Sequence, residues 1–178
     1  MPKIEIRSLN VSEKKDLLNF ERSYLTSYVW QMERQIEEGK TTITFHQIRL
    51  PREIRVEIPY SLEKIKEVME RAAVLVAVLN GIPVGFIALE ERESPGSAWI
   101  SYLVVSEPHR RQGIASGLTI AAHEWATQRD LRRIIIEVQS KNYPAIQLAL
   151  KLGYEFYGYH DQFYANHDIA LFFSRFLR

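Results

Sequence analysis

The chain is predicted to fold as a mixed α/β domain of the α+β kind, with a mostly antiparallel central sheet flanked by helices. Three observations carry this. The middle of the sequence holds three strand-like runs in succession, Ala73 to Leu79, Pro83 to Glu90 and Trp99 to Val105, separated by turn signals. At Gly113 the apolar period changes from two to 3.6 and a helical stripe follows. Strand and helix then alternate to the end, and 178 residues suffice for one sizeable core.

The elements follow in order. Alternation in Lys3-Ile4-Glu5-Ile6-Arg7 makes an opening strand, and Ser12 suits the N-cap of a first helix reaching toward Phe20. From Tyr24 to Lys40 periodicity does not decide: Tyr24 and Tyr28 lie at helical spacing, Trp30 and Met32 at strand spacing. Strand-like alternation returns from Thr41 to Ile58, broken by Pro51. Ser61 caps a helix to about Arg71, Asn80-Gly81 marks a hairpin, and Ser94-Pro95-Gly96 a second turn. Ile114, Ala115, Leu118, Ala121, Ala122, Trp125 and Ala126 share one apolar stripe. Arg133 to Val138 reads as a buried strand and Pro144 opens a further helix that stops before Gly153. Tyr154 to His160 and Ile169 to Phe176 close the chain as strands. No repeat or linker marks a second domain.

Composition excludes several function classes. Twenty-three Lys and Arg against twenty-two Asp and Glu leave a net charge of +1, and no basic stripe accompanies Arg110 and Arg111, so nucleic-acid binding is not expected. The longest apolar run, Ala72 to Leu79, is too short to span a bilayer, and Met1 to Ser8 has no signal-peptide core, so a soluble, unprocessed protein is expected. The absence of cysteine rules out a thiolate metal site and a cysteinyl-acyl intermediate, and fits a cytoplasmic setting. The five histidines show no paired spacing on one face, so no metal is expected.

The chemistry concentrates between Val105 and Ser116. Pro108 ends a strand, and Arg110-Arg111-Gln112-Gly113-Ile114-Ala115-Ser116 runs directly into the amphipathic helix, so unpaired N–H groups at its start face outward. Gly113 leaves room for a diphosphate, Ala115 is nearly as small, and the arginines put positive charge at the rim. In isolation this would equally suit a capped helix with solvated arginines. Its succession by Asn142 and by Lys151-Leu152-Gly153-Tyr154 distinguishes it.

Over Val74 to Tyr159 the sequence resembles the GNAT family of N-acetyltransferases. Leu103-Val104-Val105 before Pro108, the R-x-x-G-x-A loop and the Asn142 to Tyr154 segment carry the likeness. The resemblance implies a single N-acetyltransferase domain over 1–178, a central strand splayed at a bulge, and acetyl-CoA as co-substrate. Backbone groups of Leu103, Val104 and Val105 would bind the pantetheine arm. The amides of Arg110, Arg111, Gln112, Gly113, Ile114, Ala115 and Ser116, with Asn142, would complete the donor site. Phe163-Tyr164-Ala165-Asn166-His167-Asp168 and the following Ile169 to Phe173 are similar to the tail of streptothricin acetyltransferases, which implies a small-molecule amine acceptor. An acetyl-CoA-binding module without catalysis, or a protein N-acetyltransferase, are the competing readings. Oligomeric state is left open, a homodimer included.

Attack by an amine needs its neutral form. A lysine-like amine of pKa about 10.4 is about one part in 2,500 neutral at pH 7, a deficit of roughly 4.6 kcal/mol that a general base offsets. Glu137 is the leading base, a lone carboxylate ending Ile134-Ile135-Ile136. It lies five residues before Asn142, where the ribosomal-protein branch of the family carries its base. A solvated or arginine-paired glutamate is the alternative, and Glu90 and Glu91 are reserves. The family's usual acid, a tyrosine seven residues after the asparagine, is here Ala149. Tyr154 and Tyr164 are the replacement candidates, unless they are core or pocket-wall aromatics. The N–H of Val105 or its neighbour at the bulge would polarise the thioester. Trp99 and Trp125 read as core, and Tyr28, Trp30 and Met32 as acceptor-pocket wall or packing.

Overall fold

The computed structural model of the chain describes residues 3–92 and 96–178, so the expected turn at Ser94-Pro95 lies outside the described residues. The elements are β1 (Ile4–Ser8), α1 (Lys14–Leu18), β2 (Ser23–Glu37), β3 (Lys40–Glu57), α2 (Leu62–Arg71), β4 (Ala73–Leu79), β5 (Ile82–Arg92) and β6 (Ser97–Val105). They continue with α3 (Ile114–Thr127), β7 (Arg133–Gln139), α4 (Tyr143–Lys151), β8 (Glu155–His160) and β9 (Ala170–Phe176). A sheet of order β1-β4-β5-β6-β7-β9-β8 runs through the described residues. Its pairings are antiparallel except β6 with β7, which α3 connects as a crossover. The expected mixed, mostly antiparallel sheet flanked by helices is therefore the fold observed.

Local chemistry accounts for the element ends. Asn80 and Gly81 adopt φ of 51° and 80°, the left-handed pair that a two-residue hairpin turn requires. Ser61 caps α2 by accepting from Lys64 N, and Asn142 caps α4 by accepting from Ala145 N at 3.2 Å. Near the N-terminus the turn begins earlier than expected. A 3₁₀ turn at Val11–Glu13 precedes α1, and Asn10 N donates to Glu13 Oε2 at 3.1 Å, rather than Ser12 capping a longer helix. Arg7 holds that same Glu13 in an ion pair, which fixes where the turn starts.

The segment that periodicity left undecided is half of a hairpin, β2 against β3. Most of β2 beyond Tyr28 is exposed or half-buried on both faces, so no clean alternation marks it. Pro51 falls where the ladder is interrupted: Thr26 pairs with Ile54 and Tyr28 with Arg49, so the proline owes no hydrogen bond to a partner. The hairpin joins the main sheet where Trp30 N donates to Ser140 O at 2.9 Å, just past β7.

Apolar side chains fill both sides of the sheet. On one side α3 and α4 cover Ile134, Ile136, Val138, Leu171 and Phe173; on the other, α1 and α2 cover Val76, Val78, Phe86 and Tyr102. Fully buried residues such as Leu118 and Phe173 are sites where truncation to alanine costs about 2–5 kcal/mol. These two layers hold the central strands rigidly, which matters because the sheet parts between them.

Candidate active site

Strands β6 and β7 pair only from Ser97 with Arg133 to Ile100 with Ile136. Beyond that, β6 stays with β5 as far as Val105 and β7 stays with β9 as far as Gln139, so the central strands diverge into a wedge. The divergence starts at a bulge. Ala88 pairs with Tyr102 and Leu89 with Ile100, leaving Ser101 as the extra residue on β6. Because Ser106 N donates to Val84 O, strand alternation turns the peptide groups of Leu103 and Val105 away from β5 and into the wedge. An internal sheet edge results, open to a ligand that hydrogen-bonds as a strand does.

A cavity of about 90 Å³ fills the wedge, lined among others by Tyr60, Ser101, Tyr102, Glu137, Asn142 and Tyr164. That is room for an aminomethyl group or a few waters. Glu137 points into it because Ile134, Ile136 and Val138 take the alternate positions against α3 and α4. Tyr60 Oη donates to Glu137 Oε1, and the Tyr164 hydroxyl also stabilises the charged carboxylate. Tyr60 stacks edge-on against Tyr102 and Tyr164, with ring centroids 5.2 and 5.5 Å apart. Burial raises the Glu137 pKa above its ordinary value, against the lowering effect of the two hydroxyls and Arg92. Burial likewise pushes Tyr60, Tyr102 and Tyr164 up, with Glu137 adding to each, so all three remain hydroxyl donors at neutral pH. The reserve Glu90 is committed to Ser101 Oγ and to Arg71 Nε at 3.0 Å, while Glu91 is exposed.

At the mouth of the wedge, the loop before α3 has the geometry of an anion cradle. Gly113 takes φ +85°, and a Cβ built on it would meet no atom within 4 Å, so open space lies above it. Ile114, Ala115 and Ser116 open α3, and the first helical N–H bonded within it is that of Gly117, to Gly113 O at 3.0 Å. Arg111 is exposed with φ 63° and Gln112 donates to Pro108 O. Arg110 departs from expectation: its guanidinium donates to the carbonyls of Val105, Ser23 and Glu21 at 3.0, 2.8 and 2.8 Å. Its side chain ties the loop to the start of the hairpin and its own N–H donates to Glu107 O at 3.3 Å, so the expected Arg110 amide is already bonded and the cradle falls to the N–H groups of Ile114, Ala115 and Ser116.

The structure brings Leu103, Val104, Asn142, Glu137 and Tyr164 to one cavity, with the loop beside it. It does not bring Tyr154 there. That side chain is 2% exposed and lies in the core with α3 and α4, its hydroxyl 2.9 Å from His123 Nε2. Ala149 is equally buried. Tyr28 stacks on Tyr143 and Trp30 on Phe173, so both pack rather than line the cavity. Trp99 is half-buried under Arg92, and Trp125 under Arg129. Tyr60, Tyr102 and Ser101 had no local signal, since each joins the site only through the fold. Among the described residues no group of His, Asp and Glu could hold a metal ion, and no helix is long and apolar enough to cross a membrane.

Comparison with known proteins agrees with this geometry. Streptothricin acetyltransferase of Escherichia coli is 42% identical over 57 residues, which span 32% of this chain and 33% of that relative. Two solved structures superpose along nearly the whole chain at 18% identity. A nourseothricin acetyltransferase covers 98% of this chain and 99% of its own, with a TM-score of 0.83. A Bacillus anthracis protein provisionally assigned as a streptothricin acetyltransferase, solved with acetyl coenzyme A, covers 99% of each chain with a TM-score of 0.80. The ribosomal-protein-S18-alanine N-acetyltransferase of Escherichia coli follows at 16% identity, 98% and 94% coverage and a TM-score of 0.70. The model of the acetyltransferase (GNAT) family matches residues 30–154, most of the chain and both of the strands that splay, β6 and β7, and with that match the protein belongs to the GNAT acetyltransferases.

Proposed function

We propose that this chain moves an acetyl group from acetyl-CoA to a primary amine by direct attack, and that the acceptor is a small molecule such as a streptothricin-like antibiotic. The observation that carries the reading is Glu137, a half-buried carboxylate with a raised pKa facing a small cavity beside the edge of β6 that β5 leaves unpaired. A carboxylate of raised pKa is a stronger base, and it is the group an incoming ammonium must meet. The tyrosine rings of Tyr60, Tyr102 and Tyr164 give that ammonium aromatic walls.

The residues present suit acetyl-CoA. Leu103 and the N–H of Val105 offer strand-type groups to the donor, and the open space over Gly113 and the N–H groups of Ile114 to Ser116 suit the diphosphate. When bound, acetyl-CoA supplies the activated acyl group. The protein's part is to hold and to move protons: Glu137 takes one from the amine, Tyr164 is the hydroxyl placed to give one to a departing thiolate, and the Val105 N–H is the donor for the acyl oxygen. We place this activity in one domain over 1–178 acting in the cytoplasm.

The test is thiol release from acetyl-CoA against a panel of streptothricin, polyamines and peptide N-termini. Turnover with a small amine, streptothricin foremost, is expected. Turnover confined to peptides would contradict the small-molecule acceptor, and tight acetyl-CoA binding with no release across the panel would contradict catalysis.

A further inference from the structure

The C-terminal run that resembles streptothricin acetyltransferases contains a residue with no part in the chemistry above. Asp168 sits at the base of the loop between β8 and β9, its side chain 11% exposed. Its carboxylate accepts from Gln139 Nε2 at 2.7 Å and Asn166 Nδ2 at 2.9 Å on Oδ2, and from Lys141 Nζ at 2.6 Å on Oδ1. Its carbonyl accepts from the N–H groups of Phe163 and Tyr164 at 3.1 and 3.3 Å. Its own N–H donates to Asn166 Oδ1 at 3.1 Å. Gln139 is held in turn, because Tyr24 Oη donates to its Oε1 at 2.7 Å.

We propose that Asp168 is a positioning residue, whose carboxylate and carbonyl together hold the Phe163–His167 loop so that the Tyr164 hydroxyl meets Glu137. The loop's own bond, His167 N to Tyr164 O at 2.8 Å, does not tie it to the sheet. Gln162 and His167 take φ of 51° and 65°, left-handed conformations that persist only where the surrounding structure holds them. Tyr164 enters the cavity from this loop and not from a strand, so no ladder sets its depth. Asp168 binds the loop at its start, through Phe163 and Tyr164, and at its end, through Asn166. It anchors both to β7 by way of Gln139.

The charge is essential to this role. Three N–H donors converge on the carboxylate, and an amide in its place offers one oxygen and turns its own N–H₂ toward a donor. Asp168→Asn keeps the volume and breaks the convergence. Loss of the Tyr164 hydroxyl from Glu137 removes an interaction that favours the ionised carboxylate. Tyr60, Tyr102, Glu90 and Arg92 face Glu137 from the other elements and are unchanged. The consequence for catalysis rests on Glu137 being the base; the positioning role does not.

The experiment therefore follows the carboxyl itself. Protein carrying 13C-labelled glutamate is titrated by NMR, with the Glu137 signal identified by its loss in Glu137→Gln. Tyr164→Phe is expected to move the midpoint upward, Asp168→Asn to move it the same way, and the double variant to go no further. Turnover should fall about tenfold in Asp168→Asn while acetyl-CoA affinity stays at the wild-type value. A wild-type midpoint in Asp168→Asn, or shifts that add in the double variant, overturns the proposal. Should Asp168→Asn not fold, Asn166→Ala removes two of the bonds from an exposed position, and it too must raise the midpoint. An unmoved acid limb of the rate profile in Glu137→Gln would instead count against Glu137 as base and leave the NMR result standing.

Discussion

Replacing Gly113 by alanine separates the two demands placed on that residue. Its φ of +85° is a left-handed conformation that costs an L-residue about 1–2 kcal/mol. No atom lies within 4 Å of the added Cβ, so no clash adds to that cost. For a chain of this length the melting temperature should fall by about 2–8 °C. Acetyl-CoA affinity should suffer more, because the methyl occupies the space over the helix N–H groups. Loss of one hydrogen bond to a charged oxygen is worth about 1.5–3 kcal/mol, so Kd should rise about 10- to 150-fold. Calorimetric titration with acetyl-CoA, beside a thermal melt, measures both. Gly113→Glu should abolish binding. An acetyl-CoA Kd within about twofold of wild type in folded Gly113→Ala would show that the loop is an ordinary capped turn.

The two arginines of the loop should behave oppositely. Arg110→Ala loses three bonds to carbonyls and should destabilise by about 1.5–3 kcal/mol in urea unfolding, and Arg110→Lys should not rescue it, since an ammonium lacks the planar fork. Arg111→Ala should leave stability within about 0.5 kcal/mol but flatten the salt dependence of acetyl-CoA binding. His123, half-buried against Tyr154, has its pKa lowered to about 4, mainly by burial and further by Arg175. The unfolded chain then takes up the proton first, so stability present above pH about 6.5 is lost as pH falls toward 4. In His123→Gln the unfolding midpoint should change less across that window, and an equal change would remove His123 as a cause.

What could be read from the sequence was what is local. The donor loop is a strand, a turn and a helix start within a dozen residues, and the glycine that needs φ > 0 lies inside it. Glu137 was legible as a lone carboxylate at the end of an apolar strand, although only the splay of β6 from β7 gives it a cavity to face. The acceptor side was not legible. Tyr60 precedes a helix, Tyr102 lies on β6 and Tyr164 on a loop, so no spacing links them. Tyr154 went the other way: packing turns it toward α3, onto the sheet side opposite Glu137. Nor does spacing say where a guanidinium reaches, which is why Arg110 was expected to set its charge at the rim of the loop and instead donates to the carbonyls of Ser23 and Glu21.

The central claim, that Glu137 removes the amine's proton, is tested most directly by the pH dependence of turnover in Glu137→Gln. With the base ionised only above its raised pKa, wild-type turnover should rise with pH along an acid limb set by that group. The variant should lose the limb and about 10²- to 10⁴-fold in turnover at neutral pH, with acetyl-CoA affinity unchanged. Turnover within about threefold of wild type along the same acid limb would contradict it.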